Sequence, residues 1–219
     1  MLPAIRWTAL GLIVFLMAGW LALSVAGSGP SGRALEARLA SFLGLSPPAA
    51  SSAGFGLGIG GPFRLTDDTG RTVTDASFRG RWMLVYFGYT SCPDVCPTEL
   101  ATIAAALHDL GADADRVAAL FITVDPARDT PKVLAAYVRL FDRRLIGLTG
   151  TPAQIAATAR AYRAYYQKVA SGDRNAYHMD HSSFIYLMGP DGGFEDLFNP
   201  GTRAADIAAS IRSRIARSS

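Results

Sequence analysis

Trp82–Pro97, WMLVYFGYTSCPDVCP, is the stretch on which the reading of the fold turns. Trp82–Phe87 is an unbroken apolar, β-rich run, the pattern of a central strand buried on both faces. The chain then passes through Gly88–Cys96, and Pro97–Leu110 reads as a helix. Proline has no N–H to lose at the first helical position, and it biases Cys96 toward the angles of a cap residue. Cys96 is therefore expected near free backbone N–H groups and the positive end of the helix dipole, which favour thiolate over thiol. Reaction and ligand sites favour such strand-to-helix junctions.

Outward from this stretch the pattern is α/β. Phe63–Thr66 and Arg71–Thr74 flank a turn at Asp67–Gly70 and predict a small hairpin. Val117–Val124 predicts a second buried strand, and Ile146–Leu148 a short one. Thr130-Pro131 and Thr151-Pro152 each pair a capping Thr with Pro at the first position. They predict helices to about Phe141 and Gln167. Ser183–Met188 predicts a strand, Pro190–Gly193 a turn, and Thr202–Arg217 a last helix. Strands alternating with helices imply a sheet covered on both faces.

The chain has 219 residues, half of them apolar and 18% charged, with a net charge of +3 and no block of like charges. That balance argues against a nucleic-acid binder and against disorder. The apolar excess is concentrated at the start. Trp7–Ala26 carries no charge and reaches about 30 Å as a helix, enough to cross a bilayer core. Arg6 precedes it, so the positive-inside rule leaves residues 1–6 as a cytoplasmic stub and exports the rest. An uncleaved anchor over 7–26 is the expectation. A signal peptide cut after Ser24-Val25-Ala26 is the competing reading, and its apolar core would normally span only about 7–15 residues. Residues 27–61 are rich in Gly, Ser, Pro and Ala and read as a tether. Within them Leu35, Leu39, Phe42 and Leu43 have the spacing of a short amphipathic helix. Residues 62–219 then form the α/β domain.

Two cysteines exclude a disulfide scaffold, a four-thiolate iron–sulfur site and a Cys₄ zinc site. Three readings remain for Cys92 and Cys96. A structural disulfide closing so small a loop would remove little chain entropy. A redox pair fits the strand–cysteine–helix placement. A metal site fits two thiolates that can chelate one soft ion and want a third donor. His108 lies 12 residues beyond Cys96 in the helix, about 18 Å away, and is out of reach. His178 and His181 stand just before a predicted strand, and spacing does not choose between them. Asp180 is a candidate to orient a neighbouring imidazole, and Met179 offers at most a weak donor and is expected to pack instead. Two sulfurs and one imidazole suit Cu(I) and allow Cu(II), whereas a structural zinc site would want a fourth ligand.

Several segments together resemble the SCO/SenC family. They are Phe63–Asp67, Tyr86–Pro97, Phe121–Pro131, Gly147–Gly150 and Asp180–Ser183. The resemblance runs from about Phe63 to Phe198. It implies a thioredoxin-like α/β domain behind a single N-terminal transmembrane helix. It also implies a copper site made by Cys92, Cys96 and His181, so it selects His181 over His178. Asp125 is a motif residue whose role is either shaping the turn after a strand or taking part in metal exchange. The implied function is copper delivery to the binuclear copper centre of cytochrome c oxidase, from the periplasmic face of a bacterial inner membrane. The implied partners are the oxidase's copper-containing subunit and a copper donor protein or thiol reductant. Redox state should gate loading, since only the reduced pair binds. The rival is a thiol-disulfide reductase using Cys92 and Cys96 but not His181, which would keep the oxidase's copper-ligand cysteines reduced. A copper sensor is a third possibility. A peroxidase is disfavoured, because no Arg is placed beside either cysteine.

Overall fold

The computed structural model describes residues 58–170 and 177–217. At its centre lies β3 (Trp82–Gly88), all seven residues of which are buried. It pairs in parallel with β4 (Val117–Thr123), which is equally buried. Continuous apolar runs of this kind need cover on both faces, and each fully buried Leu, Val or Phe contributes roughly 1.5–3 kcal/mol. Parallel β5 (Leu145–Thr149) follows β4. On that side the sheet ends in the antiparallel pair β1 (Arg64–Asp67) and β2 (Thr72–Thr74). On the other side of β3 lie antiparallel β8 (Ile185–Met188) and β9 (Phe194–Phe198). The order is β2-β1-β5-β4-β3-β8-β9. A separate two-stranded sheet joins β6 (Tyr166–Ala170) to β7 (Tyr177–His181).

Among the described residues four α-helices accompany the strands: α1 (Val95–Leu110), α2 (Pro131–Val138), α3 (Pro152–Ala161) and α4 (Ala204–Arg217). Helix α1 packs against α4, α2 against β5, and α3 against β1. The expected Thr-Pro starts are present. Thr130 Oγ1 accepts the Val133 N–H, and Thr151 forms a reciprocal capping box with Gln154. The mixed α/β architecture, with a helix leaving the end of the central strand, is the thioredoxin-like arrangement that the resemblance implies.

Several expectations are corrected. Helix α1 begins at Val95 rather than Pro97, so Cys96 lies inside the first turn instead of capping it. First-turn amides have no acceptor within the helix, so Pro97 sacrifices no bond at the third helical position. Helix α2 stops at Val138, not Phe141. Its last residues tighten into i→i−3 bonds, Leu140 to Tyr137 and Phe141 to Val138. Helix α3 stops at Ala161, not Gln167, because Arg163 adopts a φ of 53° and Tyr166–Ala170 pairs with Tyr177–His181. The histidine segment, expected as a loop, is therefore a strand. β9 was not expected at all.

Among the described residues no helix is long and apolar enough to cross a membrane. The apolar run 7–26 and the stretch 34–43 lie outside the described residues.

Candidate metal centre

The site forms where β3 hands over to α1, and its geometry begins with Gly88. A Cβ there would stand 2.8 Å from Cys96 Sγ, 2.8 Å from Phe121 Cε2 and 3.2 Å from Tyr86 Cε1. Glycine is needed for this close approach, which seats the Cys96 sulfur against the end of the central strand. Cys96 is fully buried, and Cys92 is half-buried in the loop before the helix. Both are free thiols.

His181 arrives from the last position of β7. Its Nε2 lies 3.3 Å from Cys96 Sγ. The donor atoms of Cys92, Cys96 and His181 all lie within 4.8 Å of one another. His181 Nδ1 is 3.2 Å from the Ser182 carbonyl. A proton assigned to Nδ1 by that contact leaves the Nε2 lone pair facing the sulfurs. The rings of Tyr86 and Tyr89 meet the imidazole edge-on, with centroids 6.2 and 5.8 Å away. Burial holds the His181 pKa below its ordinary value, so the imidazole is neutral and able to coordinate.

Burial also pushes the Cys96 thiol up to about 12, with the nearby Cys92 adding to the rise. This reverses the expectation of a favoured thiolate. A first-turn position offers only a partial charge, and removing the sulfur from water outweighs it. Burial therefore holds Cys96 as a thiol at neutral pH.

The other candidates fall elsewhere. Strand residues alternate between faces, so Tyr177, Met179 and His181 share one face of β7 while His178 and Asp180 share the other. His178 Nε2 pairs with Asp180 Oδ1 at 3.3 Å, and both are more than half exposed. The imidazole that Asp180 contacts is thus that of His178, and the Ser182 carbonyl takes the orienting role at His181. Met179 is buried, in line with packing. His108 is exposed near the end of α1. Asp125 is buried but not among the donor atoms. It accepts hydrogen bonds from Tyr177 Oη and from Arg128.

Sequence reasoning missed Asp129 as a brace. It is fully buried and accepts three hydrogen bonds: from Thr90 N at 3.0 Å, Thr90 Oγ1 at 2.6 Å and Thr123 Oγ1 at 2.6 Å. It ties the cysteine loop to the loop after β4. A carboxylate in a turn rich in Pro and Thr was visible, but nothing local pointed to Thr90. Glu99, one turn beyond Cys96, is buried too and accepts the Gly201 N–H at 3.0 Å. Two soft sulfurs and one imidazole make a donor set for a single soft cation, and the same two sulfurs can also join as a disulfide.

Comparison with known proteins gives a consistent result. The family model for SCO1/SenC matches residues 52–216. The chain is 44% identical over 155 residues to the human mitochondrial SCO1 homolog, covering 70% of this chain and 52% of that protein. It therefore spans about half the length of that relative. It is 47% identical over 153 residues to SenC of Rhodobacter capsulatus, covering 70% and 69%. Among solved structures, Bradyrhizobium japonicum ScoI with copper bound is similar at a TM-score of 0.67 and 49% identity, covering 71% of this chain and 98% of that one.

Proposed function

This chain belongs to the SCO1/SenC family, and on that premise we propose that it is a copper metallochaperone. Cys92, Cys96 and His181 hold one copper ion as cargo. The ion is delivered by ligand exchange to the binuclear copper centre of cytochrome c oxidase during assembly. The observation that carries this reading is the convergence of two sulfurs and one imidazole nitrogen within 4.8 Å. A copper-bound structure of a relative at 49% identity supports copper as the ion. The uncharged run 7–26 acts as a single span. It holds the domain 62–219 on the periplasmic side of a bacterial inner membrane, as the pattern Arg6-then-apolar supports.

Three donors leave an open side for an acceptor's ligand, which a closed four-ligand site would deny. Loading requires both thiols reduced, so the redox state of the pair gates it.

A second reading is favoured by the two adjacent free thiols: a thiol-disulfide reductase acting on the oxidase's copper-ligand cysteines. Burial keeps Cys96 a thiol, so half-buried Cys92 would be the attacking sulfur. His181 separates the two readings. The reduced full-length chain, kept in mild detergent, is titrated with Cu(I) against a chelator of known affinity, beside His181→Ala. One tightly held copper per chain, markedly weakened by the substitution, is the expected result. Weak binding that ignores His181 would leave only the thiol pair and favour the reductase.

A further inference from the structure

The two halves of the donor set are mounted differently. Cys96 sits against the central strand, but His181 belongs to a two-stranded sheet outside the main one. An isolated two-stranded hairpin is marginally stable at best, so its position depends on what fastens it. Near His181 the fastening is local. The Ser182 N–H donates to the Tyr165 carbonyl at 2.9 Å, and the Tyr165 N–H to Ser182 Oγ at 3.1 Å.

The other end of β7 is fastened by Tyr177, through three kinds of contact at once. Tyr177 Oη donates to both oxygens of buried Asp125, at 3.0 and 3.1 Å. Arg128 Nη1 donates to the Tyr177 carbonyl at 3.2 Å. The Arg128 guanidinium also lies over the Tyr177 ring, 3.9 Å from its centroid. Lys168 Nζ lies over the same ring at 3.7 Å. The ring thus meets two cations at once, Arg128 from the body and Lys168 from the hairpin itself. Asp125 holds Arg128 in turn through a salt bridge to its Nε. The loop bearing both is fixed to the end of β4 by the bond from the Asp125 N–H to Thr123 Oγ1 at 2.9 Å. Tyr177 and His181 share one face of β7, about 13 Å apart along the strand. Arg128 thus grips the hairpin on the side that carries the imidazole, and its guanidinium also lies 5.7 Å from the centroid of the Tyr89 ring, which meets the His181 imidazole edge-on.

We infer that Arg128 is a positioning residue for His181. With Asp125 it forms a latch on Tyr177 that sets the β6–β7 hairpin, and so the imidazole, against the thiol pair. Opening the latch frees His181 and leaves the metal on two thiolates. Only a planar fork can bond Asp125 with one nitrogen, the Tyr177 carbonyl with another, and still stack on the ring. Lysine cannot do all three.

The inference rests on the copper reading, and the test separates the two. The reduced full-length chain in mild detergent is titrated with Cu(I) by chelator competition as wild type, Arg128→Ala, Arg128→Lys, His181→Ala and Arg128→Ala/His181→Ala. Arg128→Ala is expected to weaken binding roughly 10-fold, within the range for residues that orient a metal ligand. Arg128→Lys should fall between it and wild type. In the His181→Ala background, adding Arg128→Ala should cause no further loss if the latch acts through that imidazole, whereas an effect carried by the Arg128–Tyr89 contact to the cysteine loop would persist there. After Cu(II) loading, nitrogen hyperfine coupling in the electron paramagnetic resonance spectrum should fade in Arg128→Ala as it does in His181→Ala. Unchanged affinity, or an additive loss in the double variant, would overturn the latch. If Arg128→Ala fails to fold, Tyr177→Phe, which removes only the bonds to Asp125, is judged by the same non-additivity. A wild-type chain that binds no Cu(I) would instead overturn the copper reading itself.

Discussion

Copper loading should be coupled to proton release through Cys96, and the size of the coupling follows from burial. The fully buried thiol is pushed from an ordinary 9.0 to about 12. At pH 7 such a thiol is ionised in only about one molecule in 10⁵. The metal takes thiolate, so each copper must expel the Cys96 proton. The Cys96 contribution to apparent affinity should rise about tenfold per pH unit, or about a thousandfold between roughly pH 6.5 and 9.5. It should reach no plateau before about pH 12, whereas an unshifted thiol would level off near 9.0. His181 adds little over this range. Burial lowers its pKa, which confines proton competition at Nε2 to pH below its ordinary 6.5.

Calorimetric titration of the reduced full-length Cys92→Ser chain with Cu(I), in two buffers of different ionisation enthalpy, counts the protons released and isolates Cys96. About one proton per copper from Cys96 is expected at pH 8 and still about one at pH 10. A count falling toward zero by pH 10 would mean that the empty site already holds a thiolate. The helix terminus would then outweigh burial, and the electrostatic account of the site would be wrong.

Gly88→Ala should destabilise the metal-free fold by about 1–3 kcal/mol, because its Cβ would meet Cys96 Sγ and Phe121 at 2.8 Å with strand backbone behind it. Denaturant unfolding measures this, and an unchanged midpoint would refute the close-approach argument. His178→Ala should leave Cu(I) affinity within about twofold, since His178 faces away from the sulfurs and the effect of an exposed pair is small; a large loss in the chelator competition would mean the face assignment of β7 is mistaken. The metal-free fold should lose stability as pH rises above about 9. Burial raises the pKa of Cys96, Tyr86, Tyr137 and Tyr162. The folded chain therefore keeps protons that the unfolded chain releases, so this stability is complete below the ordinary values and declines toward the raised ones. A urea midpoint at pH 11 no lower than at pH 8 would contradict it.

The parts of the fold legible in sequence were those whose signal is local and apolar. β3 and β4 are continuous apolar runs because both of their faces are covered, and the two Thr-Pro caps are complete within four residues. The β6–β7 pair was illegible because it is half-exposed. Tyr166–Ala170 buries no continuous stripe, and Tyr177–His181 reads as a polar loop until its partner is known. Had β7 been recognised, buried Met179 would have marked the inner face and separated His181 from His178 by strand period alone. Asp129 was opaque for a different reason, since Thr90 stands 39 residues earlier in the chain. The state of Cys96 was misjudged because the helix terminus is a local cue. The burial that overrides it comes from Tyr86, Phe121 and the sheet around them, fixed only once β3 pairs with β4 and β8.

The unequal mounting of the ligands bears on how a tightly bound soft ion could ever leave. Moving Cys96 would disturb a sulfur packed against fully buried β3 and a loop braced by two hydrogen bonds from Thr90 to buried Asp129. Moving His181 disturbs a two-stranded sheet fastened by the Tyr177 latch, by Met179 and by the contacts between Tyr165 and Ser182. Local opening follows the element with the fewest buried contacts, so on the proposed reading the imidazole is expected to depart before buried Cys96. The ion is then left on two thiolates with one side vacant, and an incoming donor can enter there without a fully bare ion being formed. On the proposed delivery reading, this unequal mounting lets copper be held tightly between encounters and still be surrendered by ligand exchange.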